Sequence, residues 1–261
     1  MATRVYIFIC LLSLPLLQPA AQTPAEKGLS IATEADRRNT GWQDYLAVYT
    51  MTLRDRSGQE STRELQIKGM EVAEDGDRTL TVFYAPADIK GTALLTYTHA
   101  LTPDDQWLYL PALKRIKRIA SANKSGSFMG SEFAYEDLAS QEIEKYSYKW
   151  LRDEDLEGRA VYVVERYPAY EYSAYTRQVV WLDQEMYQPL KLEFYDRKGA
   201  LLKTLLFSGY QQFENKYWRS QTMDMMNHQT GKTTVLRWSE YRFRNGFSER
   251  DFDQNALKRS R

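Results

Sequence analysis

The chain has 261 residues, and its 35 Lys+Arg balance 35 Asp+Glu with only 2 His, so the formal net charge is zero. That balance disfavours a nucleic-acid binder, which would carry a basic excess. A single cysteine leaves no internal disulfide framework, and the length suits one large β domain or two small ones.

The first segment reads as an export signal. Arg4 supplies a positive start, Val5 to Leu17 form an apolar run broken only by Ser13 and Pro15, and Pro19-Ala20-Ala21-Gln22 offers small residues for cleavage. Residues 1–22 are therefore assigned to a cleaved signal peptide, cut between Ala20 and Ala25, and 23–261 to a single domain in the periplasm. An uncleaved anchor is the alternative, but this apolar run is shorter than the roughly 20 residues that span a bilayer as a helix. Cys10 lies inside the run and leaves with it. It is also badly placed for lipid attachment, being followed by more apolar residues.

Gly28 to Asn39 has helical spacing, with Ile31, Ala32 and Ala35 as its apolar side. From Trp42 onward a period of two dominates. Leu80, Val82 and Tyr84 oppose Thr79 and Thr81, the pattern of a strand with one apolar face.

The stretch from Trp107 to Leu138 is the most distinctive. Its start reads as a hairpin turning at Pro111, followed by the basic pairs Lys114-Arg115 and Lys117-Arg118. It ends in a Gly/Ser segment carrying Phe128, Met129, Phe133 and Tyr135. Loops are normally polar, so apolar residues in a glycine-rich one are expected to fold back over an apolar surface, as a plug or lid. They serve equally as ordinary core. The basic pairs suit an anionic head group or an acidic partner surface, and equally a solvated strand face.

Several strings here carry a family resemblance: Pro86-Ala87-Asp88-Ile89-Lys90-Gly91-Thr92, Trp107-Leu108-Tyr109-Leu110-Pro111, Arg115 and Arg118, Gly130-Ser131-Glu132-Phe133, and Tyr135-Glu136-Asp137-Leu138. Together they resemble the LolA-like family of outer-membrane lipoprotein-sorting proteins, the wider family rather than the narrower group of true lipoprotein chaperones. The resemblance implies a half-barrel with a helix and loop lid. It further implies a lipid or lipoprotein acyl cargo, no catalytic residue, no cofactor and no metal, and a monomer. An inner-membrane RND-type exporter and an outer-membrane acceptor would be its partners. In lipoprotein carriers of this superfamily an arginine on the barrel latches the lid, and Arg115 or Arg118 is the nearest candidate.

The second half continues the alternation. Tyr146, Tyr148 and Trp150 oppose Lys145, Ser147 and Lys149, while Leu190, Leu192 and Phe194 oppose Lys191 and Glu193. Turn signals at Arg56-Ser57-Gly58, Glu74 to Asp77, Asp153 to Gly158, Arg197-Lys198-Gly199, Glu214-Asn215-Lys216 and Gln229 to Lys232 separate runs of strand length. Asp253 to Arg261 reads as a last helical turn or a frayed tail.

Many short strands and no long helical pattern mean a large antiparallel sheet. Its apolar face needs a cover, and only the first helix and the Ser125 to Ser140 segment are available. The expected fold is mainly β, a sheet curled into an incompletely closed barrel with those pieces in its mouth; a closed lipocalin-like barrel is the alternative. The expected cavity wall is Leu80, Val82, Tyr84, Tyr148, Trp150, Val161, Val163, Val180, Leu182, Leu192, Phe194, Leu236 and Trp238, with Phe128, Met129 and Phe133 as lid.

Catalytic patterns are weak. His99 and His228 are far apart, Gly126-Ser127-Phe128 and Gly130-Ser131-Glu132 do not complete a nucleophile elbow, and Thr230-Gly231-Lys232-Thr233 lacks the upstream glycine of a phosphate loop. Glu132, Glu136 and Asp137 suit capping or salt bridging better than acid-base work. Two rivals to a carrier stay open: an interaction module docking through Leu113 to Ile119, and a hydrolase using a histidine.

Overall fold

The computed structural model of the protein describes residues 22–73, 75–139 and 142–259. Residues 1–21 of the expected signal peptide, Cys10 among them, lie outside the described residues.

Helix α1 spans Pro24–Asn39 and starts four residues before the apolar periodicity does. A capping box explains this. The Thr23 hydroxyl accepts from Glu26 N at 3.2 Å and the Glu26 carboxylate accepts from Thr23 N at 2.8 Å, with Pro24 at the first helical position. Glycine at position 28 lets the helix touch the sheet: a Cβ there would lie 2.7 Å from Trp150 N. Gly28→Leu should therefore force α1 off the sheet and lower stability by about 1–3 kcal/mol. An unchanged melting temperature would show that the helix does not rest there.

The first six strands are β1 (Asp44–Arg54), β2 (Glu60–Met70), β3 (Arg78–Ala85), β4 (Ala93–Tyr97), β5 (Asp105–Leu110) and β6 (Arg115–Arg118). They form a meander, each pairing antiparallel with the next. The second run comprises β7 (Tyr146–Leu156), β8 (Arg159–Pro168), β9 (Arg177–Asp183), β10 (Pro189–Tyr195), β11 (Leu201–Ser208), β14 (Thr222–Asn227) and β15 (Thr233–Phe243). Between β11 and β14 the chain makes a small hairpin, β12 (Gln211–Phe213) with β13 (Tyr217–Arg219). Pairing of β15 with β1 joins the two runs into one thirteen-stranded antiparallel sheet, ordered β6-β5-β4-β3-β2-β1-β15-β14-β11-β10-β9-β8-β7.

β6 and β7, consecutive in sequence, lie at opposite edges of this sheet. The sheet is consequently not closed into a barrel, and the lipocalin-like alternative is not the one adopted. The chain from Ile119 to Lys145 must cross from one edge to the other, and it does so over the inner face. Phe128, Phe133 and Ile119 are buried there with Tyr49, Met51, Leu65, Phe83, Leu94 and Leu108. The exposed edge β6 is four residues long and carries Arg115, Lys117 and Arg118, features that discourage edge-to-edge pairing.

The outer face is partly apolar as well. Leu80, Val82, Ala93 and Leu95 are buried there by Phe252, Ala256 and Leu257, which belong to Glu249–Phe252 and to helix α2, Gln254–Arg259. The C-terminal segment is thus a cover rather than a tail. A second outer cluster, Val161, Val163, Val179 and Trp181, is roofed by long charged side chains. Lys191 Nζ lies 4.2 Å from the Trp181 ring and Trp181 Nε1 donates to Glu154 at 3.1 Å, so stems and tips of charged residues shield the rings.

Candidate functional site

The crossing segment fills only part of the inner space. Beside it a hollow of about 1130 Å³ remains, walled by Ile31, Ala32 and Ala35 of α1 and by the connection between β2 and β3. Val164, Val180, Leu182, Leu192, Phe194, Leu205, Phe207 and Met223 make its apolar floor. Its size lies slightly above the range of small-molecule sites, roughly 300–1,000 Å³.

The segment bordering the hollow is anchored by a buried polar network. Lys203 on β11 donates to Asp137 Oδ2 at 2.6 Å and to the Glu132 carbonyl at 3.0 Å, and the side chains of this ion pair are 4 % and 5 % exposed. Asp137 also accepts from Tyr175 Oη and from Ala134 N, at 2.8 and 2.7 Å. Glu136 accepts from Tyr170 Oη, Ser173 Oγ and Ala174 N, all within 2.9 Å. Glu132 closes the set, accepting from Asn227 Nδ2 at 2.7 Å while its own N–H donates to Thr234 Oγ1 at 3.0 Å. Each acidic residue of the Glu-Phe-Ala-Tyr-Glu-Asp string thus has its own partners in the strands or in the 170–175 loop. Burial pushes the Glu136 carboxyl up despite its three donors.

Carboxylates dominate the rim of the hollow. Asp36, Asp44, Glu71, Asp75, Asp77, Glu136, Asp137 and Glu142 line it, against Arg166 as the one Lys or Arg among its described lining residues. Some are accounted for: Asp44 accepts from the backbone of Asn245, Gly246 and Phe247, Glu71 from Gly41 and Gln43, and Asp75 faces His99. Glu142 receives a hydrogen bond from Thr98 Oγ1 at 3.1 Å. Burial first, then Asp77 beside it, raises its pKa to about 7. The folded state therefore keeps a proton that the unfolded chain releases above its ordinary value of 4.5, so stability falls as pH rises between those two values. Because the group is partly solvated, about 1–2 kcal/mol is expected. Glu142→Gln should remove that slope, melting like the parent at pH 4 and above it at pH 8, and parallel pH profiles would contradict the shift.

The expected wall residues separate into four settings. Tyr148, Val180, Leu182, Leu192 and Phe194 line the hollow. Trp150, Leu236 and Trp238 belong to the inner core outside its lining: Trp150 lies beneath Lys27 of α1, whose Nζ is 3.6 Å from the ring, Leu236 is buried in that core, and Trp238 is capped by Phe213 of β12. Leu80, Val82, Val161 and Val163 face outward, in the two covered clusters. Tyr84 is partly exposed, its hydroxyl 3.4 Å from Gln66.

Of the expected lid, Phe133 borders the hollow. Phe128, only 1 % exposed, is held in the inner core by Phe83 and Tyr135. Met129 packs against the same core. Neither arginine of the basic hairpin reaches this segment among the described contacts: Arg118 pairs with Asp105 and Arg115 is exposed at the sheet edge. The arginine that does is Arg63 of β2, which donates to the Met129 carbonyl. The Arg63 stretch carries no motif that marks it in the sequence; only the strand register reveals it. His99 pairs with Asp75 and Asp105 and His228 Nε2 meets Thr204 Oγ1 at 2.8 Å, both outside the lining of the hollow.

An open antiparallel sheet around a hollow, crossed by its own edge-to-edge connection, is a half-barrel. A LolA superfamily protein from Nitrosomonas europaea shares this fold, with a TM-score of 0.71 and 20 % identity over 90 % of this chain and 100 % of that one. A domain from Vibrio parahaemolyticus named for outer membrane lipoprotein sorting is 57 % identical over 90 % of this chain and 99 % of its own, with a TM-score of 0.88. A DUF1329 family protein from Desulfovibrio piger is 30 % identical, covering 90 % of this chain and 100 % of that one, with a TM-score of 0.86. A family model described as that of an uncharacterized protein-like group matches residues 75–259. The chain belongs to the LolA-like family of outer-membrane lipoprotein-sorting proteins. A comparison with curated proteins gives no match.

Proposed function

We propose that the protein is a periplasmic carrier that shelters the acyl part of a lipid or lipid-modified cargo in the hollow, between an inner-membrane source and an outer-membrane acceptor. The observation that carries this reading is the space of about 1130 Å³, with an apolar floor, left open beside the packed crossing segment. A chain in water costs about 0.8 kcal/mol per methylene, so a concave apolar wall is what a soluble carrier needs, and no catalytic group is required. The name of the Vibrio relative agrees with such a role. An RND-type exporter is the proposed loading partner, on the family resemblance alone.

The exit of cargo would use the α1 side of the hollow, where the wall is a single helix. The crossing segment, by contrast, is tied at Glu132, Glu136 and Asp137. Native mass spectrometry of protein purified gently from the periplasm tests the reading. An acyl-bearing molecule is expected to travel with it, and a protein that is empty and takes up no neutral apolar probe would end the carrier proposal. A docking module is the second reading, favoured by one feature: the hairpin tip at Leu113, 63 % exposed beside Lys114, Arg115 and Lys117.

A further inference from the structure

We infer that the hollow is built for an amphiphile with a cationic head, an amine rather than a phosphate or carboxylate; this rests on the carrier reading and narrows its cargo class. The apolar floor has no preference for one head group over another. The rim does.

Three separate elements bring carboxylates to it: Asp36 from α1, Glu71 and Asp77 from the β2–β3 connection, and Glu142 from the approach to β7. Glu144 stands near Asp36. The neighbouring cations are fewer than the carboxylates: Lys145 still acts on Glu142, and Arg166 faces the hollow beside the neutral Gln178. Lys145 reaches Asp104 at 2.5 Å, Arg38 reaches Glu34 at 2.7 Å, and Arg166 donates to Gln178 at 2.6 Å while lying over the Tyr146 ring. Among the described residues no Lys or Arg forms an ion pair with Asp36 or Glu142.

Like charges gathered this way repel one another, and that repulsion adds to the effect of burial. Burial, then Glu144 and Glu71, raises the Asp36 pKa, just as burial and Asp77 raise that of Glu142. A primary ammonium seated at the rim, its alkyl chain on the floor, would relieve this repulsion and donate up to three hydrogen bonds. An anionic head would add to it, in a concave site whose low-dielectric walls concentrate the field.

The test, at pH 8 where Glu142 has lost its proton, is displacement of the neutral probe N-phenylnaphthylamine from the whole mature protein by dodecylammonium and by dodecanoate, which share a chain length and differ in the sign of the head. Dodecylammonium is expected to displace the probe at roughly tenfold lower concentration. The gap should narrow to within about threefold in the Asp36→Asn/Glu142→Gln variant, whose retained fold is checked by circular dichroism. Equal displacement, or preference for dodecanoate, overturns the inference and leaves the carrier intact. A preference that persists undiminished in the variant also overturns it, because the rim carboxylates would then not be its source. Failure of the neutral probe to bind at all removes the carrier reading and the head-group preference with it.

Discussion

Lys203→Met is expected to lower stability by about 3–5 kcal/mol, the cost of leaving one member of a buried ion pair without its partner. Lys203 holds two points of the crossing segment at once, the Asp137 carboxylate and the Glu132 carbonyl. Its ammonium also lies within 5.1 Å of the Tyr175 and Phe194 rings. Without it, Asp137 keeps Tyr175 Oη and Ala134 N as donors, which offsets part of the loss but leaves a negative charge in a site 5 % exposed. Urea denaturation should show a lower midpoint with an unchanged slope. The double variant Lys203→Met/Asp137→Leu should recover a portion, since removing both charges removes the desolvation penalty. A loss below about 1 kcal/mol in the single variant would mean that the pair is solvated and the segment loosely held.

This clamp bears on how the hollow would open under the proposed function. Phe128 sits between Phe83 and Tyr135, and its N–H donates to the Phe133 carbonyl at 2.7 Å. A charge introduced at Phe128 would therefore test the core rather than the hollow. Cargo access is better sought on the side where α1 meets the loops, away from the Lys203 network.

The architecture was largely legible in the chain, because period-two alternation survives wherever one strand face is apolar and the other wet. The hairpin at Pro111 is where the sequence puts it, with Lys114 in the left-handed region at φ 49°, and Gly231, inside the turn signal at Gln229 to Lys232, has a positive φ of 72°. Less legible was which face points inward. In β3 both faces are buried, Leu80 and Val82 outward and Phe83 inward; in β9, Val179 and Trp181 face outward while Val180 and Leu182 face inward. Alternation divides such residues into two sets without ranking them. The deciding fact lies elsewhere: a short C-terminal helix covers one outer patch, and charged stems of Lys191 and Arg177 cover another. The polar clamp was hidden for a different reason. Asp137 and Lys203 are 66 residues apart, and no local spacing rule connects them.

Val180→Trp/Leu192→Trp is expected to abolish high-affinity uptake of an acyl probe while leaving the fold intact. The two residues are cross-strand partners on β9 and β10 and both face the hollow, so two indoles would occupy existing space rather than compete with packed neighbours. Each methylene excluded from the apolar wall costs about 0.8 kcal/mol, and excluding three lowers affinity by roughly fiftyfold. Stability should hold or rise, because filling a cavity adds contacts. The outer-face counterpart gives the contrast: Val163→Trp, at a side chain fully buried in its cluster and outside the lining of the hollow, should lower the melting temperature through overpacking and leave probe affinity near the parent value. If the paired tryptophans bind probe as well as the parent does, the hollow is not where the chain is held. A large loss of stability in them would instead show that this space is closed in solution.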